Sequence, residues 1–177
     1  HDTQNLRVPK VISAQKRLRA LNPDVEVITI QQKLTTDNAD DLLTDYGLVV
    51  DGCDNYTTRF IINEHCVKKK KTYIYGAVSQ FYGQVGVFQA QKGACLRCLF
   101  GAEADGVRLD QRPVQGVLGS LPGIIAACQA TEVVKLLLGI GDALISKILV
   151  YDGLNADCHK IHIEKKADCP VCGTPEK

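Results

Sequence analysis

The chain has 177 residues, of which 45% are hydrophobic and 23% are charged, and its formal net charge at pH 7 is +1. This length and apolar fraction predict a single domain with a packed core. The near-neutral charge excludes the strongly basic surface on which nucleic-acid binding depends. We expect no membrane span, because neither a signal peptide nor an 18-residue apolar run is evident.

Apolar spacing and turn residues predict helices and strands that alternate along most of the chain. Between them, the stretch from Gly101 to Gly119 has no period and predicts a loop. The alternation favours an α/β fold with a mostly parallel sheet and a strand-rich C-terminal part. The predicted helices cover residues 10–22, 57–70 and 122–138, and a further short helix lies within 35–46. The predicted strands cover 25–30, 48–51, 72–75, 84–89, 148–151 and 160–164.

The segment Gly52-Cys53-Asp54-Asn55 follows a buried strand, and ligands of parallel sheets bind at this end of the strands. A carboxylate at Asp54 could hold Mg²⁺ and position the phosphates of a nucleotide. Equally, Asp54 or Asn55 could only cap the helix that follows. Lys10, in the first turn of its helix, could contact a phosphate or could be a solvated surface lysine. The chain has no GxGxxG phosphate loop.

Two CxxC pairs, Cys95/Cys98 and Cys169/Cys172, predict a structural zinc site, since four thiolates suit a closed tetrahedral ion. The pairs are 70 residues apart, whereas those of a zinc ribbon are about 15–20 residues apart. The metal would therefore staple the C-terminal segment to the middle of the chain. A redox CxxC is the weaker alternative, and disulfides are weaker still without a secretory signal.

Six segments in sequence order carry a resemblance to a known superfamily. The chain resembles the E1-like, ubiquitin-activating enzymes, and is most similar to their bacterial branch of molybdopterin-synthase adenylyltransferases, thiazole-pathway adenylyltransferases and HesA proteins. The segments are VPKVISAQKRLRALNPDVEV, LVVDGCDNYTTRFIINEHCVKKKKTYIYGAV, GQVGVF, CLRCLF, GVLGSLPGIIAACQATEVVKLLLG and DCPVCG.

The resemblance implies a Rossmann-like domain that binds ATP and Mg²⁺. Its partner would be a ubiquitin-like sulfur-carrier protein, whose C-terminal Gly-Gly carboxylate it adenylates. Lys10 matches the phosphate-binding lysine of the family, and Asp54, with Asn55 beside it, matches the aspartate for Mg²⁺ and ATP. The family's structural zinc ligands match Cys95, Cys98, Cys169 and Cys172. The resemblance also implies a homodimer in the cytoplasm, without nucleic-acid or membrane partners.

Two features depart from the family pattern. The glycine-rich strand, loop and helix with which the family begins would precede His1, so we expect a fragment of a longer protein, inactive by itself. The cysteine that some members carry in the later loop falls at Arg112, and no cysteine lies between Cys98 and Cys128. This favours adenylation without a thioester on this chain.

Two alternatives to the adenylyltransferase remain at this point. A non-catalytic, zinc-stapled interaction or dimerisation module would need no glycine loop. A zinc-dependent nucleic-acid binder is opposed by the near-neutral charge and by the distance between the cysteine pairs. The sequence does not distinguish molybdopterin from thiamine pathways, nor does it name the carrier.

Overall fold

The computed structural model describes residues 1–101, 104–111 and 115–173. Tertiary contacts divide the chain into two compact units, His1–Lys33 and Leu34–Lys177, and the single domain expected from the sequence stays a prediction. We describe each unit by itself.

The first unit contains one α-helix, α1 (Lys10–Leu21), which begins directly after Pro9 as predicted. Proline suits this place because the first turn of a helix leaves its N–H groups unpaired. The strand predicted over 25–30 is wrong, since these residues pair with no strand. Their β-branched side chains favour extended backbone. The backbone of this segment is bonded to a side chain of α1, since Gln15 Nε2 donates to the Val27 carbonyl at 2.7 Å.

The described residues of the second unit form a five-stranded sheet in the order β1-β2-β3-β4-β5. Its first pair is parallel, and the other three pairs are antiparallel. The α/β class is therefore confirmed, whereas the expected parallel pairing is confined to β1 and β2 among the described strands. The strands are β1 (Leu48–Val50), β2 (Thr72–Ser79), β3 (Tyr82–Phe88), β4 (Lys147–Asp152) and β5 (Asp157–His162).

Short connections explain two of the three antiparallel pairs, β2 with β3 and β4 with β5. Only Gln80 and Phe81 join β2 to β3, and only four residues join β4 to β5. Connections of this length close a hairpin, whereas a parallel return needs a crossover of a dozen or more residues. Gln80 has φ of 50° and Ala156 has φ of 53°, so each turn places a residue in the left-handed region that tight hairpins require.

Five helices accompany the sheet in the described part of the unit, and the two longest cover its opposite faces. Tyr73 and Tyr75 pack with the helix that follows β1, whereas Ile74 between them packs with the long helix near residue 130. The side chains of a strand alternate between faces, so β2 is buried on both sides. The helices are α2 (Ala39–Leu43), α3 (Tyr56–Lys68), α4 (Leu96–Phe100), α5 (Gly106–Asp110) and α6 (Leu121–Leu138).

The helix α6 is long and apolar enough to cross a membrane by length and composition, with a mean hydropathy of 1.5 over 18 residues. This corrects the expectation that no such run exists. The criterion is weak evidence by itself, because helices packed in a protein core also meet it. One side of α6 packs on β2 and β3, and that side carries the polar residues Gln129 and Glu132, both buried and hydrogen-bonded.

The short helices α4 and α5 are the elements that the sequence patterns did not predict. Each has five residues, too few to show a helical repeat of apolar positions. The helix α5 lies in the stretch predicted as a loop. Arg112, where the family's loop cysteine would align, lies outside the described residues.

Candidate functional site

A short loop connects β1 to α3 and carries Asp54. Asp51, at its start, is 1% exposed. One carboxylate oxygen of Asp51 accepts a hydrogen bond from the Cys53 amide at 2.6 Å, and the other accepts one from the Tyr73 hydroxyl at 2.7 Å. The loop thus folds back on its own first residue.

Arg59, in the first turns of α3, lies beneath the same loop and is also buried. Its Nη2 donates to the carbonyl of Cys53 at 2.6 Å and to that of Gly76 at 3.0 Å. Its Nε lies 3.4 Å from an Asp51 carboxylate oxygen, a charge contact without the alignment of a hydrogen bond. The guanidinium also faces the Tyr75 ring, with its Cζ atom 5.1 Å from the ring centroid.

The thiol of Cys53 is not an activated nucleophile. Burial is the main cause that raises its pKa to about 12, and the nearby carboxylate of Asp51 raises it further. The thiol therefore stays protonated at neutral pH, and thiolate is the reactive form. The loop offers a carboxylate, and not a sulfur, for chemistry.

Asp54 and Asn55 divide the two roles that the sequence left open. Asn55 is the N-cap of α3, since its side-chain oxygen accepts from the Thr58 amide at 2.8 Å. Asp54 is exposed, and its one side-chain hydrogen bond among the described residues comes from Asn55 Nδ2 at 3.2 Å. The Asp54 carboxylate thus remains accessible to a cation or a ligand.

Asp110, at the end of α5, binds the same helix start from a distant part of the chain. One of its oxygens accepts from the Tyr56 amide at 2.5 Å, and the other accepts from the Thr57 amide and hydroxyl at 3.0 and 2.7 Å. A carboxylate is favourable there because the first amides of a helix are unpaired and carry positive partial charge. This contact joins α5 to the residues next to Asp54.

Replacing Asp110 with asparagine is expected to loosen this contact. The limited burial of Asp110 would raise its pKa, but the bonds from Thr57 and Tyr56 outweigh it and leave the pKa below its usual value. The charge therefore stabilises the contact above the ordinary aspartate pKa, and the stabilisation is lost as pH falls through the lowered pKa. At neutral pH we expect the Tyr56 and Thr57 amides to exchange hydrogen about 2–5-fold faster, from about 0.3–1 kcal/mol.

Hydrogen exchange followed by mass spectrometry or NMR checks this prediction. Asp45→Asn, at an exposed aspartate outside the contact, is the matched control and should leave both amides unchanged. Equal exchange in the Asp110→Asn variant and the parent at neutral pH would refute the contact.

Lys10, the predicted phosphate ligand, belongs to the first unit, where it is the first residue of α1 and is exposed. Its side chain therefore remains accessible, and its predicted role stays a prediction. Asp54 and Asn55 belong to the second unit, and so do the four predicted zinc ligands.

The four cysteines of the CxxC pairs converge at one buried point. Their sulfur atoms all lie within 4.8 Å of one another, with 3.7 Å between Cys95 and Cys169 and 3.4 Å between Cys98 and Cys172. Zinc–sulfur bonds near 2.3 Å place the sulfurs of a tetrahedral site about 3.8 Å apart. Disulfide sulfurs would lie about 2.0 Å apart, so the spacing fits a four-thiolate metal site and not disulfides.

Neighbouring side chains hold the cysteine cluster against α3 and the sheet. Asn63, in α3, is 1% exposed; it accepts from the Leu96 amide at 2.8 Å and donates to Cys95 Sγ at 3.8 Å. The hydroxyl of Ser146 accepts from the Ala94 amide at 2.9 Å. One helix therefore begins at the Asp54 loop and supports the cysteine cluster two turns later.

The thiols of the cluster differ in acidity. Burial raises the pKa of Cys95 to about 11. Burial also opposes ionisation of Cys169, but amide donors from Cys172 and Val171 outweigh it and lower the pKa of Cys169 to about 7. A thiolate at Cys169 is the form that binds a metal ion.

Several residues of this region were not predicted from the sequence. Asp51 ends the predicted strand and Arg59 lies in the predicted helix. Opposite charges eight residues apart, on either side of the predicted loop, were a sequence signal from which this ion pair could have been inferred. Asp110 and Asn63 gave no local signal, because their partners are distant in sequence.

The sheet between two helices, the carboxylate after β1 and the four-cysteine cluster define an E1-like α/β protein. Comparison with known families gives the same class. The chain belongs to the ThiF family, whose profile matches residues 1–171.

Curated relatives agree with this assignment. The chain is 40% identical over 178 residues to a sulfur carrier protein adenylyltransferase of Thermus thermophilus, and the match covers 98% of the chain and 66% of that protein. It is 35% identical to the SAMP-activating enzyme E1 of Haloferax volcanii, with 98% and 64% covered. The MOCS3 adenylyltransferase and sulfurtransferase of Culex quinquefasciatus is 37% identical, with 97% and 40% covered. The chain thus spans between two fifths and two thirds of these relatives.

Solved structures show the same fold at low sequence identity. MccB of E. coli superposes with a TM-score of 0.85 at 16% identity, covering 98% of this chain and 53% of MccB. PaaA superposes with a TM-score of 0.74 at 18% identity, covering 94% of this chain and 51% of PaaA. The predicted E1-like architecture is confirmed.

Proposed function

We propose that the protein containing this chain uses ATP to adenylate the C-terminal Gly-Gly carboxylate of a ubiquitin-like sulfur-carrier protein. The observation that carries the proposal is the placement of Asp54, exposed at the carboxyl end of a parallel strand, on a loop in which the amide and the carbonyl of Cys53 are bonded to Asp51 and Arg59. The names of the relatives, which include sulfur carrier protein adenylyltransferase, support the carrier as the substrate class.

The chemistry asks for orientation and charge neutralisation more than for covalent catalysis. The carrier carboxylate attacks the α-phosphorus of ATP, the new bond gives an acyl-adenylate, and pyrophosphate leaves with the bonding electrons. A carboxylate is a weak nucleophile, so alignment of the reactants and neutralisation of the phosphate charge lower the barrier. Lys10 would supply a fixed positive charge, and Asp54, beside Asn55, would hold the Mg²⁺ that neutralises the phosphates.

The four-cysteine cluster is proposed to bind zinc in a structural role. Four protein thiolates fill a tetrahedral coordination shell and leave no position for a reacting water. The sulfur spacing fits this ion, and the cluster lies within the hydrophobic core. Zinc would therefore fix the C-terminal segment and take no part in the adenylation.

The finer assignments are also part of this proposal. A relative from Pyropia yezoensis, 39% identical over 155 residues, is named a probable molybdopterin-synthase adenylyltransferase, which favours molybdenum-cofactor over thiamine biosynthesis. We further propose a cytoplasmic homodimer that needs no nucleic acid or membrane.

The test is exchange between pyrophosphate and ATP, catalysed by the natural polypeptide in which this sequence occurs. We expect exchange with a sulfur carrier that ends in Gly-Gly, and a loss of about 100-fold or more when the final glycine is deleted, because the nucleophile is then misplaced. Equal exchange with both carriers would contradict the proposed substrate. Tight binding of the carrier without any exchange would favour a non-catalytic interaction module instead.

A further inference from the structure

The side chain of Asp54 has little support of its own. It is exposed, and among the described residues its side-chain hydrogen bond comes from the neighbouring Asn55. The direction of the Asp54 carboxylate therefore depends on the backbone that leads into it, residues 51–53. Catalytic groups need to be held in place, since a displacement of about 1 Å can cost about 100-fold in rate.

That backbone is fixed at both ends. At Asp51, the amide donates to the Ile74 carbonyl at 2.9 Å, and the carbonyl accepts from Gln129 Nε2 at 2.8 Å. At Cys53, directly before Asp54, the amide donates to the Asp51 side chain and the carbonyl accepts from Arg59. The backbone amide and the backbone carbonyl of Cys53 are thus bonded to the side chains of one pair, Asp51 and Arg59.

We propose that the buried pair Asp51–Arg59 is the positioning device of this site, which holds residues 51–53 so that the Asp54 carboxylate faces the reacting phosphates. The inference rests on the function proposed above and deepens it. Asp51 and Arg59 touch neither ATP nor carrier in this scheme and act through Asp54.

The chemistry of the pair fits positioning better than stability alone. A buried ion pair adds little net stability relative to apolar residues of the same size, because both ions lose their hydration. The planar guanidinium, by contrast, reaches Cys53, Gly76 and the Asp51 carboxylate in different directions at once, which the single ammonium of a lysine does not do.

The pair also leaves the charge of Asp54 uncompensated. Asp51 and Arg59 are oppositely charged and 3.4 Å apart, so together they add no net charge to the loop. Within residues 51–55, the carboxylate that remains exposed is that of Asp54. A cation approaching this loop therefore meets an accessible negative charge that the Asp51–Arg59 pair does not neutralise.

The test compares two conservative variants with a control in the natural polypeptide. Arg59→Lys keeps the positive charge but loses the planar guanidinium with its several N–H donors. Asp51→Asn keeps the shape of the side chain but loses its negative charge. Glu132→Gln is the matched control, because Glu132 is also buried, pairs with Lys135 at 2.5 Å and accepts a backbone amide at 2.8 Å on the other face of the sheet. Thermal unfolding and zinc content report on folding in each variant.

We expect both loop variants to lower the kcat of ATP–pyrophosphate exchange about 10–100-fold with a smaller change in KM, because misplacement acts mainly on the transition state. The Mg²⁺ concentration for half-maximal exchange should rise, and the Cys53 and Asp54 amides should exchange hydrogen faster. Glu132→Gln should keep its kcat although its stability falls. If either loop variant fails to fold, the other carries the test.

Two results would overturn the inference. One is a kcat within about twofold of the parent in the folded loop variants, with unchanged protection of the two amides. The other is an equal loss of kcat in Glu132→Gln, which would make the effect one of general stability. Absence of exchange in the parent, or exchange that persists in Asp54→Ala, would instead overturn the proposed function, and the amide protection alone would then decide whether the pair holds the loop.

Discussion

Replacing Asp54 with alanine is expected to lower ATP–pyrophosphate exchange by at least about 100-fold, the usual cost of losing one group that stabilises transition-state charge. The variant should fold normally, because the Asp54 side chain is exposed and Asn55, not Asp54, caps α3. The loss should not be rescued by ATP at high concentration, whereas additional Mg²⁺ should recover part of it. Steady-state exchange at several ATP and Mg²⁺ concentrations measures the loss, its persistence at high ATP and its partial recovery by Mg²⁺.

Asp157→Ala is the matched control for this experiment. Asp157 is an exposed aspartate on β5, with a side chain 68% exposed and His159 at 3.8 Å. Its removal changes the net charge by the same amount and should leave exchange unchanged. Exchange by Asp54→Ala at the rate of the parent would remove Asp54 from the site.

Replacing Cys169 with serine is expected to remove the metal and to release the C-terminal segment. A serine hydroxyl is a poor zinc ligand, and three thiolates leave the shell open. Structural zinc contributes about 10–16 kcal/mol of apparent binding free energy in small domains, so even a partial loss should lower Tm by more than about 10 °C in a chain of this size. Elemental analysis should find one zinc per chain in the parent and almost none in the variant.

Cys158→Ser provides the comparison, because Cys158 is an exposed free thiol on β5 outside the cluster. It should keep both the zinc and the Tm of the parent. A native, reduced sample without zinc, or a Cys169→Ser variant with full metal content, would contradict the proposed metal.

The parts of the fold that sequence patterns predicted are those with a local cause. The long helices α3 and α6 begin within one residue of their predicted starts. The signals that mark the start of a helix, such as capping residues and a helical repeat of apolar residues, lie close together in the sequence. The convergence of the two CxxC pairs could be predicted, because two such pairs in one chain have few functions other than to bind a metal ion together.

Features that depend on distant partners were not predicted. Residues 25–30 have the composition of a strand but find no strand to pair with, and composition cannot show that. The two hairpins of the sheet follow from their short turns, and a strand pattern overestimates turn length when the strands extend into the turn. The contact of Asp110 with α3 spans 53 residues, beyond any local pattern.

The way α6 meets the sheet has a consequence for motion. Gln129 inserts above Gly76, where even a Cβ atom would come within 2.4 Å of its amide, and Glu132 accepts the Leu144 amide. Sliding the helix by one turn would move these side chains about 5.4 Å and leave buried amide and carbonyl groups without partners. The helix α6 therefore has a single favoured register on the sheet, and sliding of α6 along the sheet is disfavoured. Conformational change during a reaction cycle would then occur in the loops.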